Sequence, residues 1–410
     1  METAPPWVFN RLEPPHLENP YPLYARARRE APVFHSPEFG LWFVARYDDA
    51  WAVLKDTTRF SSRYTLRTPA DAPPAVHEVL REAFPELPML VNDDPPGHTR
   101  TRNLVSHAFA PRLVAALEPS IREIVTRLVD GFAPGGPGGA DLIAELAYPL
   151  PIEIICRLIG LPVDARDQLK RWTDDLVELG APGTGGERRL ECARSSVAFQ
   201  RYLEAQVEAR RGEPRDDLLT ALIDARVDGE QPLDVAELVN LLIVLVFAGH
   251  ETTTNLIGNL VVLLLSHPET LRGVRDDPSL TDDVITEGLR MDGPVQGMFR
   301  TATEEVELGG ARIPAGAKVM VLFGSANRDE SVFSDPDRFD PGRSNNHRHL
   351  GFGRGIHACI GAALARLETR IVIDTLAERL PDPRLDAGRP PAYFPSLMHR
   401  GPQALHVVWG

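Results

Sequence analysis

Lysine is nearly missing. Lys55, Lys170 and Lys318 are the only three in a chain of 410 residues, so arginine carries almost all of the positive charge. Acidic residues number 58 against 44 basic ones, a net charge of -14. That balance argues against nucleic acid and anionic membrane surfaces as main partners, although a local basic patch stays compatible with it. Cysteine is scarce too. Cys156, Cys192 and Cys359 form an odd, sparse set that excludes a disulfide scaffold and suits a reducing cytoplasm. The longest apolar stretch, Leu241 to Gly249, is cut by His250, Glu251 and three threonines, short of the ~20 residues that a bilayer span needs. Met1 to Pro15 has neither a basic nor an apolar targeting region, so no signal peptide is expected. No internal repeat is visible.

What is present is ordinary for a globular protein: 43% hydrophobic and 25% charged residues, enough for a sizeable core. The length would hold two average domains or one large one. Pro32 to His35 and Leu41 to Tyr47 read as a hairpin, and Asp48 to Leu54 as a short helix. Residues 62–92 are proline-rich and aperiodic, a binding loop or plain disorder. Leu113 to Phe132 and Ala140 to Leu161 read as amphipathic helices, separated by the glycine-rich run Pro134 to Gly139. A loop at Ala181 to Gly186 precedes a long charged helix over Arg188 to Arg211. Glu305 to Leu308 and Ala317 to Val321 alternate like strands.

The most specific stretch is Gly351-Phe352-Gly353-Arg354-Gly355-Ile356-His357-Ala358-Cys359-Ile360-Gly361, which runs into the helix-forming segment Ala362 to Glu368. Its glycines allow backbone conformations closed to other residues and a close approach to a flat ligand. Cys359 precedes a helix N-terminus, where unpaired N–H groups favour a thiolate. By itself the cysteine reads better as a small buried hydrophobe, as most isolated cysteines are. A dinucleotide loop lacks its glycine spacing and preceding strand, and a zinc site lacks a second ligand pair.

The whole pattern, Phe352-Gly353-x-Gly355-x-His357-x-Cys359-x-Gly361 followed by Ala365-Arg366-x-Glu368, resembles the haem-binding loop of the cytochrome P450 family. The resemblance implies that Cys359 is the iron ligand, as a thiolate that favours O–O cleavage. Phe352, Gly353, His357 and Gly361 would complete the cofactor loop, His357 as a propionate contact or else as a buried structural histidine. The arginine-rich, lysine-poor composition also fits a GC-rich bacterial genome.

Other segments agree in order. A nearly all-apolar helix over Asp234 to Ser266 carries Ala248-Gly249-His250-Glu251-Thr252-Thr253 at its middle, where buried polar residues need a reason. Gly249 weakens the helix, and the Thr252 hydroxyl can reach back to the Ala248 carbonyl and bend it. The segment resembles the family's oxygen-binding helix, with Glu251 and Thr252 as the acid–alcohol pair that relays protons through water, and with Ala248 and Gly249 against the haem, Gly249 leaving room for dioxygen. His98 and Arg102, four residues apart on one helical face, resemble the family's propionate-binding segment, and Arg300 resembles a further propionate ligand. Glu287-x-x-Arg290 resembles the family's structural pair, with Arg338 in third place. Val295, Gln296 and Met298 line the cavity or belong to a core strand. Leu397 sits in a turn between two short C-terminal strands that in the family drops into the active site, so the resemblance implies a further substrate contact there.

The resemblance spans Asn19 to Met398. It implies a mainly α fold with a smaller β-rich region at about 32–47, 300–325 and 390–408, one domain over 1–410, and haem b between a long kinked helix and the cysteine loop. It further implies a cytoplasmic bacterial monooxygenase, fed electrons by a ferredoxin-type partner, that inserts one atom of dioxygen into an apolar small molecule such as a secondary metabolite. Oxidative coupling, ring closure or peroxide-driven chemistry on the same haem is the alternative, with a non-catalytic haem sensor behind it.

Overall fold

A computed structural model describes residues 7–63, 65, 72–106, 109–133, 135–180, 184–226 and 231–410. Part of the 62–92 stretch, Pro134 of the glycine-rich run and Ala181 to Gly183 lie outside the described residues. The chain divides into two compact units, one of residues 1–61, 114–150 and 251–410, the other of 62–113 and 151–250.

The first unit contains the sheets. Its main sheet has five strands in the order Val33–Ser36, Leu41–Val44, Lys318–Val321, Met298–Ala302, Phe60–Ser61. Leu41–Val44 runs parallel to Lys318–Val321, and the other pairs are antiparallel. β-branched and aromatic residues suit this pleated surface. Val33, Trp42, Val44, Val319 and Val321 pack on Tyr47 and Phe333 on one face, while Phe34, Phe43 and Met320 pack on Phe9 and Tyr24 on the other. Helices Tyr47–Lys55, Thr281–Asp292 and Ala362–Arg379 belong to this unit. Ala362–Arg379 buries Leu364, Leu367, Ile371 and Val372, and Gly361 takes the cap position before it.

The second unit is helical. Trp172, on Arg166–Gly180, stacks on Phe199 of Gly186–Gly212 at 5.2 Å. Asn240 pins the irregular segment before it, accepting from the Leu87 N–H at 3.1 Å and donating to the Pro85 carbonyl at 3.1 Å. Residues 62–92 are therefore not loop throughout, since Pro74–Leu80 forms a helix whose first residue is a proline that needs no hydrogen-bonded N–H.

The expected helix over Ala140 to Leu161 is corrected. Gly138–Asp141 is a strand paired with His406–Trp409, residues 143–147 make a π-turn, and the helix restarts at Pro149 and ends at Ile159. Glycine explains the strand: a Cβ at Gly138 would lie 2.7 Å from the Trp409 ring. The long helix runs unbroken over Val235–Ser266, and by length and hydropathy alone it passes as a membrane span. Yet His250, Thr253, Thr254, Asn255 and Asn259 are buried along it, as are Leu241, Leu242 and Leu256, which marks a core helix inside protein.

Candidate active site

The cysteine loop is built from backbone hydrogen bonds. The Gly353 N–H donates to the Leu350 carbonyl at 2.8 Å, and the Cys359 N–H returns to the Phe352 carbonyl at 2.8 Å. Gly353 and Gly355 have φ of +64° and +71°, conformations that cost a side-chain-bearing residue. Gly355 is doubly constrained, because its Cβ would stand 2.9 Å from the Leu54 carbonyl oxygen. The loop presents Cys359 as an exposed thiol, whereas Cys156 and Cys192 are buried. Burial pushes those two thiols up to about 12 and about 11, so both stay protonated.

The loop is anchored from the protein side. Glu287 and Arg290 are fully buried, with Arg290 Nη2 and Nε donating to the two carboxylate oxygens at 2.7 and 2.8 Å. Arg290 Nη1 also donates to the Asn327 carbonyl at 2.9 Å, and the Asn327 amide oxygen accepts the Leu350 N–H at 2.6 Å. Asn327 thus ties the buried pair to the residue that leads into the loop. His349 sets the next one, its Nδ1 accepting the Gly351 N–H at 2.9 Å. Burial, reinforced by Arg366, Arg354 and Arg290, pushes the pKa of His349 down to about 3, which keeps Nδ1 an acceptor.

The third place of this network needs correction. Arg338 does not meet Glu287 through its side chain, which is 68% exposed and pairs with Asp340 at 3.0 Å. It lends only its carbonyl, to Arg290 Nη2 at 3.2 Å. Arg343 takes the place instead, 6% exposed, with Nε 3.3 Å from Glu287 Oε1. Asp335, at φ +47°, accepts the Arg338 N–H through its carbonyl at 3.0 Å in a turn just before that exposed side chain.

On the long helix, Glu251 and Thr252 are half-buried and Ala248 is exposed, although most neighbouring positions are buried. The open positions 248, 251 and 252 follow the spacing of one helical face. Glu251 has a partner that the sequence did not suggest: His399 Nδ1 lies 3.6 Å from its Oε1. A Cβ at Gly249 would stand 3.1 Å from Ile155 Cδ1, so the missing side chain also permits close packing against Pro149–Ile159.

The remaining candidates divide. His98 and Arg102 share the helix Gly97–Ser106, but His98 is buried, and burial first, with Arg102 second, holds its pKa below the ordinary value. That shift favours the neutral imidazole over the cation. Arg300 is buried on its strand, and its Nη1 donates to the Phe299 carbonyl at 2.7 Å. His357 closes a short 3₁₀ turn, half-buried. Gln296 matches the core alternative in its geometry. It is fully buried, accepts from Tyr24 at 3.2 Å and donates to the Gly293 carbonyl at 2.8 Å. Val295 and Met298 pack half-buried against the sheet, and Leu397 packs against the cluster around Phe9 and Tyr24. Asn327 lies in the run Ala326-Asn327-Arg328-Asp329, which continues the family likeness in sequence, whereas His349, Arg343 and His399 carried no recognisable pattern of their own.

The donor set fits a haem. One exposed cysteine stands on a loop of left-handed glycines, and Gly361 beside it has open space where a Cβ would be. The class this defines is a haem-thiolate enzyme. The family model for cytochrome P450 matches residues 191–380. The monooxygenase PikC of Streptomyces venezuelae is 40% identical over 95% of this chain and 91% of its own. The 6-deoxyerythronolide B hydroxylase of Saccharopolyspora erythraea is 40% identical over 88% of both. The structure of cytochrome P450 CREJ in complex with (4-ethylphenyl) dihydrogen phosphate superposes with a TM-score of 0.92 at 32% identity, covering 99% of each chain. The chain belongs to the cytochrome P450 family and is a monooxygenase with the fold of that family.

Proposed function

We propose that this enzyme hydroxylates or epoxidises an apolar small molecule, a secondary metabolite, with haem b as its cofactor and a ferredoxin as its electron donor. The carrying observation is the exposed Cys359 on a loop fixed from behind, in the same unit as the half-buried pair Glu251 and Thr252. Haem, when bound, supplies the activation of dioxygen. Cys359 would ligate the iron through Sγ, with Phe352, Gly353 and Gly361 shaping the loop around it. His98, Arg102, Arg300 and His357 would hold the propionates, His98 as a neutral donor. Glu251 and Thr252 pass protons, the carboxyl taking them from water and the hydroxyl handing them on. The whole chain acts as one domain in this reading. Three free cysteines favour the cytoplasm.

The reduced protein under carbon monoxide should show the strongly red-shifted Soret band of a thiolate-ligated haem, and Cys359→His should abolish it. An ordinary histidine-haem spectrum from the wild type would refute the assignment of Cys359. Spin-state screening of a macrolide (6-deoxyerythronolide B), a steroid and a C16 fatty acid then identifies the substrate class. Product made under labelled dioxygen separates oxygen insertion from coupling, which leaves no label.

A further inference from the structure

The turn that follows the strand Ala392–Tyr393 delivers His399 to the long helix. Its Nδ1 stands 3.6 Å from Glu251 Oε1, with 7% of the histidine side chain and 27% of the glutamate exposed. That separation is within ion-pair range, and a small rotation of the carboxyl group closes it to a hydrogen bond.

Backbone contacts hold the histidine in place. Arg11 donates from Nη1 to the Leu397 carbonyl at 2.8 Å and from Nη2 to the His399 carbonyl at 3.2 Å. The His399 N–H donates to Ser396 Oγ at 3.1 Å, and His399 bridges to Val295. On either side, the Gln296 N–H donates to the Met398 carbonyl at 2.7 Å and the Arg400 N–H to the Pro294 carbonyl at 2.8 Å. Gly401 lies so close to Asn255, one helical turn beyond Glu251, that any Cβ there would collide with its side chain. The cations flanking the turn are engaged elsewhere: Arg11 with those carbonyls, and Arg400 with Asp292 and the carbonyls of Leu17 and Glu18. A fixed imidazole therefore faces a flexible carboxylate. The glutamate has rotamer freedom to lose, and the histidine can take it away.

We infer that His399 is a positioning residue for Glu251, holding the carboxyl in one arrangement so that it can pass protons to Thr252. The inference rests on the proton-delivery role proposed above for Glu251.

The test uses the haem-loaded enzyme with a surrogate ferredoxin system, and with whichever probe of the macrolide, steroid and fatty acid gives the largest spin-state shift. His399→Phe should lower product formed per electron roughly three- to tenfold while the spin-state shift is kept. His399→Asn, whose amide can take the place of Nδ1, should recover most of that loss. Glu251→Gln combined with His399→Phe should be no worse than Glu251→Gln alone. Denaturant midpoints give a readout that needs no substrate: the two single shifts should add to more than the shift of the double variant. Full product yield from His399→Phe, an Asn variant no better than Phe, or additive losses in the double variant would overturn the inference. Should Glu251→Gln itself leave product per electron unchanged, the proton role of Glu251 fails and the inference with it. A normal loss in Glu251→Gln beside a silent His399→Phe defeats the role of His399 alone.

Discussion

Arg343 Nε lies 3.3 Å from Glu287 Oε1, on the carboxylate that Arg290 already holds by both oxygens. Glu287 is fully buried and Arg343 nearly so, so the pair is shielded from solvent and salt. Arg338, the more conspicuous arginine in sequence, stands in water.

The two arginines should therefore part company on substitution. Arg343→Ala should destabilise by about 2–4 kcal/mol, since it strips a partner from a buried carboxylate. Arg338→Ala should stay within about 0.5 kcal/mol, as expected of an exposed pair. Urea unfolding of the two variants checks this, and equal losses would argue against the assignment.

Thr252→Ala should keep haem and the substrate-induced spin shift but divert electrons to hydrogen peroxide. General acid–base groups contribute about 10²- to 10⁴-fold, so product per electron should fall markedly. Parallel assays of peroxide, product and reductant consumed decide it. An unchanged product yield would remove Thr252 from proton delivery.

His349 makes the fold acid-sensitive. Its pKa is about 3 in the folded protein and near 6.5 when unfolded, so its contribution is intact above pH 6.5 and is lost as pH falls toward 3. The slope is about 1.4 kcal/mol per pH unit for one proton. His349→Asn, which keeps an acceptor for the Gly351 N–H, should remove that slope. Unfolding free energies of the two proteins between pH 6.5 and 4 should differ by one proton, and parallel curves would count against the burial of a neutral imidazole.

Glu368 works in the other direction. It is fully buried on Ala362–Arg379, and burial raises its pKa well above the ordinary value, so ionisation penalises the fold. Its unfolded pKa is the lower one, and stability is therefore lost as pH rises above about 4.3 toward the folded pKa. Glu368→Gln should raise the melting temperature at pH 8 more than at pH 5. Equal shifts at both pH values would mean that the carboxyl is not the titrating group.

Local patterns were legible in the sequence, and contacts between distant segments were not. The cysteine loop declares itself because glycine spacing and one cysteine must lie within a dozen residues to make the shape. Glu251 and Thr252 stand out because polar residues interrupt an apolar helix. Arg338 misled because its Asp-Pro-x-Arg-Phe setting says nothing of which way the side chain points after the turn at the left-handed Asp335. His399 acts through one charge contact to a far segment and His349 through a hydrogen bond to a backbone N–H two residues on, and an isolated histidine has no periodicity to betray it. Ala140 to Leu161 looked helical because its apolar spacing is helical, and the pairing of Gly138–Asp141 with His406–Trp409 overrides it at the front.

The amide of Asn327 has a thermodynamic consequence for cofactor exchange. The ligand loop takes its shape from Leu350, Asn327 and Arg290, atoms that belong to the polypeptide alone. Little of the free energy of cofactor binding is then spent on ordering the chain, so more of it appears as affinity. Apoprotein and holoprotein should share one loop conformation and differ in loading rather than in folding. Substitutions at Asn327 should be read first as lost haem and only then as lost catalysis.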